Sequence, residues 1–389
     1  MACVPAFAQE TKSPSPKERY EALVKAYDVA EEALYKRPDR RREDWPGSAF
    51  ALRFLELAEA APDDPTATDA LLFVVNLATQ TGPGDKRLYS HYRRALGLLG
   101  QDRHLDDPRV VGESTRGLKY ASAPAESFLR ILVDRSQNRE VRGRATLALG
   151  KLLAEKAETH RYFASLDEKK FANQVAYVKN RSNPEYLDYF RETDAAGSEK
   201  EAEVLFERAI KDHGDAIYHR SVGKGDRTET IGDLARLALH KLRDLAIGKV
   251  APEIEGTDIE GRPMKLSDHR GKVVVLTFWA TWCGPCMAIV PHERSLVERL
   301  AGKPFVLLGI NGDNDLEQAK RVVDKEGITW RSWRNGGPEG PITDLYNVEG
   351  WPTVYVLDAR GVIRHKEVLK ERLDDAVNAL LKELETAKL

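Results

Sequence analysis

Phe278-Trp279-Ala280-Thr281-Trp282-Cys283-Gly284-Pro285-Cys286 joins two kinds of local order. On its N-terminal side it continues Val273-Val274-Val275-Leu276-Thr277-Phe278, an apolar and largely β-branched run that reads as a buried strand. On its C-terminal side a helical pattern begins. Two cysteines separated by two residues, where a strand hands over to a helix, are the sequence form of a reversible dithiol/disulfide site. Only three cysteines occur, Cys3, Cys283 and Cys286. A structural disulfide framework is therefore excluded, and the pair stands alone as a functional unit.

The 389 residues are too many for one ordinary core, so two or three domains are expected. Apolar residues make up 42% and charged residues 31%, the balance of a soluble globular chain. The formal net charge of −2 argues against a broad electrostatic surface for nucleic acid or anionic lipid. The run Arg37-Pro38-Asp39-Arg40-Arg41-Arg42 reads as a solvated helix end. No stretch approaches the roughly 18 apolar residues that a membrane helix needs, so no transmembrane segment is expected in this chain. Near the N-terminus, Ala6-Phe7-Ala8 is followed at once by polar residues and reads as the cleavage site of a secretory signal remnant, with a short disordered tail as the alternative. The signal reading makes the protein periplasmic or otherwise extracytoplasmic and removes Cys3 from the mature chain unless Cys3 is lipidated.

Residues 1–16 are assigned to this remnant and the linker Ser13-Pro14-Ser15-Pro16. Residues 17–246 carry helical signals and almost no strand signals. Tyr20, Leu23, Val24, Tyr27, Ala30 and Leu34 form an apolar stripe at three- and four-residue spacing, and similar stripes recur through 50–60, 70–78, 89–99, 127–133 and 141–157. In the last of these, small residues stand where helices would approach closely. Breakers such as Pro62-Asp63-Asp64-Pro65 and Gly82-Pro83-Gly84 separate the stripes. The expectation is an all-α, solenoid-like domain, although no strict period is present. Further helices are expected over 168–179, 199–210 and 231–247, and a polar loop over 213–228 in which His213 and His219 are surface histidines. No catalytic motif emerges from this region; it reads as a scaffold or an interaction surface.

At Gly248 the periodicity changes. Short strands are expected at 251–254 and 258–263, then the strand over 273–280, a helix from Cys283, a strand over 305–310 and a helix over 315–326. A loop rich in Trp and Gly follows at 330–340, then a strand over 353–357, a hairpin return at 362–365 and a final helix carrying Leu373, Val377, Leu380 and Leu381. Residues 247–389 therefore read as a three-layer α/β domain with a mixed sheet.

These residues also carry a family likeness. Trp282-Cys283-Gly284-Pro285-Cys286, Pro291 in the following helix and Trp351-Pro352-Thr353 resemble the thioredoxin superfamily. The segments Gly248…Ala251-Pro252, Asp258…Gly261, Leu266-Ser267-Asp268…Gly271-Lys272, Gly309-Ile310-Asn311…Asp313, Tyr346-Asn347-Val348…Gly350 and Asp358…Gly361 resemble its TlpA-like extracytoplasmic branch. The likeness spans about 248–370 and leaves the helical region uncovered.

It implies a thioredoxin-like C-terminal domain acting as a thiol-disulfide oxidoreductase. Cys283 at the helix start is the attacking sulfur, because free N–H groups and the positive end of the helix favour its thiolate, and Cys286 is the resolving one. Gly284 and Pro285 form a tight, stiff link between them. Pro352 resembles the cis-proline that faces the disulfide, beside Trp351, whose backbone would pair with an extended substrate peptide. Trp282 and Trp351 flank both motifs as an aromatic rim for apolar substrate segments. No cofactor beyond the redox-active disulfide is implied. A zinc site would need two more ligands, and no second cysteine pair or suitable histidine pair supplies them. The implied partners are a protein disulfide substrate and an electron-donating thiol-disulfide protein.

Two departures stand out. Thioredoxins usually place an acid on the strand beneath the disulfide, where this chain has Thr277. Some TlpA-like reductases carry a glutamate three residues after the second cysteine, where this chain has Ile289. Neither replacement can by itself act as the proton acceptor that would deprotonate Cys286. Two other readings remain beside the reductase: an interaction protein whose helical domain recruits one client to the redox head, and a thiol peroxidase.

Overall fold

The computed structural model describes residues 13–41, 44–81, 85–116, 122–164, 166, 168–179, 185–220 and 228–386. Cys3, the Ala6-Phe7-Ala8 pattern and the Gly82-Pro83-Gly84 breaker lie outside the described residues. The chain divides into two compact units, Met1–Arg236 and Leu237–Leu389.

The first unit is largely helical. In order it contains α1 (Pro16–Tyr35), α2 (Gly47–Ala60), α3 (Pro65–Thr81), α4 (Lys86–Leu99), α5 (Arg109–Arg116), α6 (Ala123–Arg135), α7 (Arg139–Ala164), α8 (Glu168–Lys179), α9 (Tyr186–Arg191) and α10 (Ala195–His213). The hairpin β1 (Ile217–Arg220) and β2 (Thr228–Thr230) follows, then α11 (Ile231–Asp244), in which the division between the units falls. Side chains set the helix starts. Ser15 and Glu18 form a reciprocal capping box ahead of Pro16 on α1, and Asp85, Ser122 and Asp194 cap α4, α6 and α10. The small residues of α7 permit close approach, as their spacing suggests. A Cβ on Gly150 would lie 2.7 Å from the Phe206 ring of α10, and one on Gly143 would lie 2.8 Å from both His213 and Ile231. Glu126 of α6 gathers Lys156 of α7, Tyr189 of α9 and Arg130 of α6, at 3.0, 2.8 and 2.9 Å.

Two local expectations change here. The polar segment after α10 is not all loop, since Ile217 pairs with Thr230 and Arg220 with Thr228. His213 is not a surface residue: it is buried against Gly143 at the end of α10, and burial lowers its pKa. The helical period had continued one turn beyond the stripe that marked α10.

The second unit begins within α11, where the His240 Nε2–H donates to the Leu345 carbonyl at 2.8 Å. It continues with the hairpin β3 (Glu255–Thr257) and β4 (Pro263–Lys265), then β5 (Val273–Trp279), α12 (Gly284–Arg299), β6 (Phe305–Asn311), α13 (Leu316–Glu326), β7 (Ser332–Arg334), α14 (Pro341–Leu345), β8 (Thr353–Leu357), β9 (Ile363–Lys366) and α15 (Glu371–Thr386). The main sheet has the order β7-β6-β5-β8-β9, with β5 parallel to β6 and antiparallel to β8. All seven residues of β5 are buried. Val273, Val275 and Trp279 face α12 and α15, whereas Val274, Leu276 and Phe278 face a second layer with Leu245, Ile254, Met264, Trp333 and Tyr346. This alternation explains why the strand reads as one continuous apolar run.

The strands expected at 251–254 and 258–263 pair instead at 255–257 and 263–265. The Asp258 carboxylate accepts the N–H groups of Glu260 and Arg262 at 3.0 and 2.8 Å and so closes a turn where extended chain was expected. β7 lies inside the expected Trp- and Gly-rich loop because Trp333 is wholly buried and its indole N–H reaches the Met264 carbonyl at 3.0 Å.

Replacing Gly150 by Val forces a branched side chain into the Phe206 ring. Overpacking of this kind costs about 1–3 kcal/mol. Urea unfolding of the full chain followed by far-UV dichroism, which the helices dominate, should show the loss, while the fluorescence of the tryptophan-rich second unit keeps its midpoint.

Candidate active site

β5 delivers Ala280-Thr281-Trp282 to the start of α12, and Cys283 is the N-cap of that helix. The Cys286 N–H donates to Cys283 Sγ at 3.1 Å, so the sulfur occupies the place that a serine or aspartate oxygen usually fills. Cys283 and Cys286 form a disulfide and are 5% and 1% exposed. Gly284 and Pro285 between them are exposed. A Cβ on Gly284 would meet nothing within 4 Å, and its backbone is not left-handed. The sulfurs therefore meet through the first helical turn itself, and Gly284 leaves open surface beside Cys283.

The approach loop is anchored from β6. Asp313 accepts the Thr281 N–H at 3.0 Å, the Thr281 hydroxyl at 2.7 Å and the Asn311 amide at 2.7 Å. Gln318 of α13 donates to the Thr281 hydroxyl at 3.1 Å, and the Gly312 N–H donates to the Trp279 carbonyl at 2.9 Å. In the sequence Asn311 and Asp313 stand out only through the family likeness, and nothing marks Gln318. Their positioning role depends on β6 running parallel to β5 in register, with Asn311 opposite Trp279.

On the other side, β8 begins opposite Phe278, which pairs with Thr353. The Trp351–Pro352 peptide is cis. Trp351 packs edge-on against Trp282, with ring centroids 5.5 Å apart, and Trp282 is 53% exposed. Gly312 makes room for this arrangement: a Cβ there would collide with the Trp351 ring. The structure thus brings Trp282, Cys283, Cys286, Trp351 and Pro352 to one end of the sheet.

In the layer between β5 and α12 that holds the cysteines, Thr277 and Glu293 are polar. Thr277 occupies the row of β5 that also holds Val275 and Trp279, and Glu293 lies on the buried stripe of α12 with Cys286, Val290 and Leu296. Glu293 is 2% exposed. Burial pushes its carboxyl up to about 7, and the Thr277 hydroxyl offsets this in part. No charged side chain among the described residues contributes to the shift. The two groups face one another, yet neither Thr277 Oγ1 nor Glu293 Oε1 completes a hydrogen bond of full geometry. Sequence reasoning passed over Glu293, although its spacing from Cys286, seven residues on one helix face, marks it for the same side. Ile289 is buried. Among the described residues no group of three or more His, Cys, Asp or Glu is placed to hold a metal ion, and no helix is long and apolar enough to cross a membrane.

Comparison with known proteins bears on residues 247–366, which match the AhpC/TSA family. The chain is similar to thiol-disulfide oxidoreductase ResA of Bacillus thuringiensis subsp. konkukian, 30% identical over 138 residues that cover 35% of this chain and 79% of the relative. It is similar also to the thioredoxin-like protein YneN of Bacillus subtilis, 31% identical over 137 residues that cover 33% and 78%. Among solved structures it resembles the thioredoxin domain of a thiol-disulfide oxidoreductase from Bacteroides vulgatus, at 27% identity and a TM-score of 0.33, covering 36% of this chain and 99% of that one.

Glu293 also links stability to pH. Its folded pKa lies above the unfolded value of 4.5, so the folded state holds the proton more tightly. The resulting stabilisation is complete below about 4.5 and is lost as the pH rises through about 7. Urea unfolding of the oxidised protein, followed by tryptophan fluorescence, should lose on the order of 3 kcal/mol between about pH 5 and pH 8. Glu293→Gln should flatten much of that slope.

Proposed function

The chain belongs to the ResA/TlpA-like thiol-disulfide oxidoreductases of the thioredoxin superfamily, its C-terminal domain being an enzyme of that kind, and we propose that it reduces protein disulfides outside the cytoplasm through Cys283 and Cys286. The observation that carries this reading is the position of Cys283 at the N-cap of α12, with the Cys286 N–H directed at its sulfur. In the reduced protein, that N–H and the positive end of the helix favour a thiolate at Cys283. The thiolate attacks one sulfur of a substrate disulfide. The substrate S–S bond breaks, the departing sulfur takes a proton, and Cys283 is left in a mixed disulfide. Cys286, as a thiolate, then attacks Cys283 Sγ, forms the internal disulfide and releases the second substrate sulfur as a thiol. A separate thiol-disulfide protein returns two electrons and two protons.

Gly284 and Pro285 leave the sulfur approachable, and Trp282 and Trp351 offer an apolar rim to the substrate chain. Trp351 and Pro352, placed opposite the end of β5, suit a substrate segment bound in extended form beside the disulfide. The Ala6-Phe7-Ala8 pattern followed by polar sequence supports export.

Insulin reduction in the presence of dithiothreitol tests the reading on the full chain. The wild-type protein should accelerate insulin precipitation, Cys283→Ser should fall to background, and Cys286→Ser should accumulate a mixed disulfide. A wild-type chain without effect would overturn the proposal. Trp351→Ala should slow insulin reduction about tenfold while changing reduction of a small aromatic disulfide by about twofold or less. Equal losses on both substrates would remove the rim from substrate binding.

A further inference from the structure

Resolution of the mixed disulfide requires Cys286 to lose its proton while almost wholly buried. The residue types that usually accept it are absent, because the strand position beneath the disulfide is Thr277 and the helix position three residues on is Ile289. The fold supplies another carboxyl. Cys286, Val290 and Glu293 follow one another at i, i+4 and i+7 on the face of α12 that packs on β5. Two turns separate Cys286 from Glu293, but helical side chains tilt toward the N-terminus, which carries the Glu293 carboxyl back toward the sulfur. Thr277 projects from β5 into the same layer, between Val275 and Trp279, and is the hydroxyl that Glu293 faces.

A carboxyl buried among apolar side chains with an unpartnered oxygen costs stability, and groups kept at such a cost cluster at functional sites. The charged groups that α12 and α15 bring alongside are engaged elsewhere. His292 and Arg299 pair with Asp374 at 2.9 and 2.8 Å, and Arg294 donates to the Glu326 carbonyl at 2.5 Å. β5 offers this layer only Thr277, and Tyr355, the one titratable residue of β8, packs in the opposite layer. β9 adds His365, which lies opposite Val356 in the ladder and whose pKa burial lowers, and the cysteines are the titratable groups that share a helix face with Glu293.

We propose that Glu293, acting through the Thr277 hydroxyl, is the internal proton acceptor that lets Cys286 resolve the mixed disulfide. The inference rests on the oxidoreductase reading and names the group that completes it. In the mixed disulfide the freed Cys286 S–H turns to the Thr277 oxygen, which completes no hydrogen bond of full geometry in the oxidised protein, and its proton moves there as the Thr277 proton moves to the Glu293 carboxylate. The Cys286 thiolate then forms a bond to Cys283 Sγ as the bond from Cys283 to the substrate sulfur breaks. The substrate leaves as a thiolate and takes a proton from solvent. Glu293 returns its proton by the reverse path when the internal disulfide is next reduced. Where usual relatives place the acid on the strand, this chain places a hydroxyl there and brings the acid from the helix.

The test separates attack from resolution. The reduced full chain carrying Cys3→Ser, whose only thiols are Cys283 and Cys286, is mixed with 5,5′-dithiobis(2-nitrobenzoic acid), which releases one coloured thiol when Cys283 attacks and a second when Cys286 resolves. In the wild type the second phase should accelerate as the pH rises through about 7, where Glu293 loses its proton. Glu293→Gln should slow the second phase about 100-fold and remove that limb, while leaving the first phase within about twofold. Glu293→Asp should recover part of the rate together with a displaced limb, an effect that a purely structural role would not produce. Thr277→Val should slow the second phase alone and keeps the test decisive if Glu293→Gln does not fold. Folded Glu293→Gln or Thr277→Val with the wild-type second-phase rate and pH profile would overturn the relay and leave the oxidoreductase reading intact. A wild-type protein that released no second thiol would overturn both.

Discussion

The contact between α12 and β5 sets almost everything else in the second unit. One row of the strand, Val273, Val275 and Trp279, meets the buried stripe of the helix, Cys286, Val290 and Leu296, in a single apolar layer. Because β5 is the middle strand, both its backbone edges are paired, to β6 on one side and β8 on the other. The strand cannot shift by one residue without exchanging its two faces. That register fixes where the chain leaves the sheet, and hence where Cys283 caps the helix. The neighbouring strands fix the rest of the site, since β6 ends at Asn311 beside the Asp313 anchor and β8 begins after Pro352.

The site is therefore built at strand ends by elements distant in sequence. Asp313 restrains the loop before Cys283 through the backbone and hydroxyl of Thr281. Gly312 admits the Trp351 ring, which in turn packs against Trp282. Rigid support from β6 holds the approach to the sulfur, while the surface around Gly284 stays exposed.

Much of this was legible from local sequence. The unbroken apolar run before Cys283 predicts a strand buried on both faces, and the structure has one. The spacing of the cysteines predicts a sulfur at a helix start, because those two features need only neighbouring residues. The expected helix over 168–179 and strand over 353–357 match α8 and β8 for the same reason. Elements whose order comes from distant partners were harder to see. β7 is a strand because Trp333 finds a pocket beside Met264, and the 258–262 turn closes because the buried Asp258 collects backbone N–H groups. His213 was read as a surface residue because its burial depends on a glycine seventy residues earlier. The spacing of Glu293 puts it on one helix face with Cys286, but that this face is buried follows only from the packing of α12 on β5.

Thr277 and Glu293 are best understood together. A strand acid at 277 would place a second carboxyl in the layer that already holds Glu293, and two carboxyls in a dry site cannot both ionise at moderate cost. One of them would stay protonated and the other would answer to its neighbour as much as to the thiol. A hydroxyl avoids that conflict, since it can accept and donate in one step and carries no charge to desolvate. Moving the acid to α12 also ties it to the element that carries both cysteines. The departure from the usual strand acid thus preserves the chemistry by a different route, with the proton path set by a helix face and its hydroxyl partner.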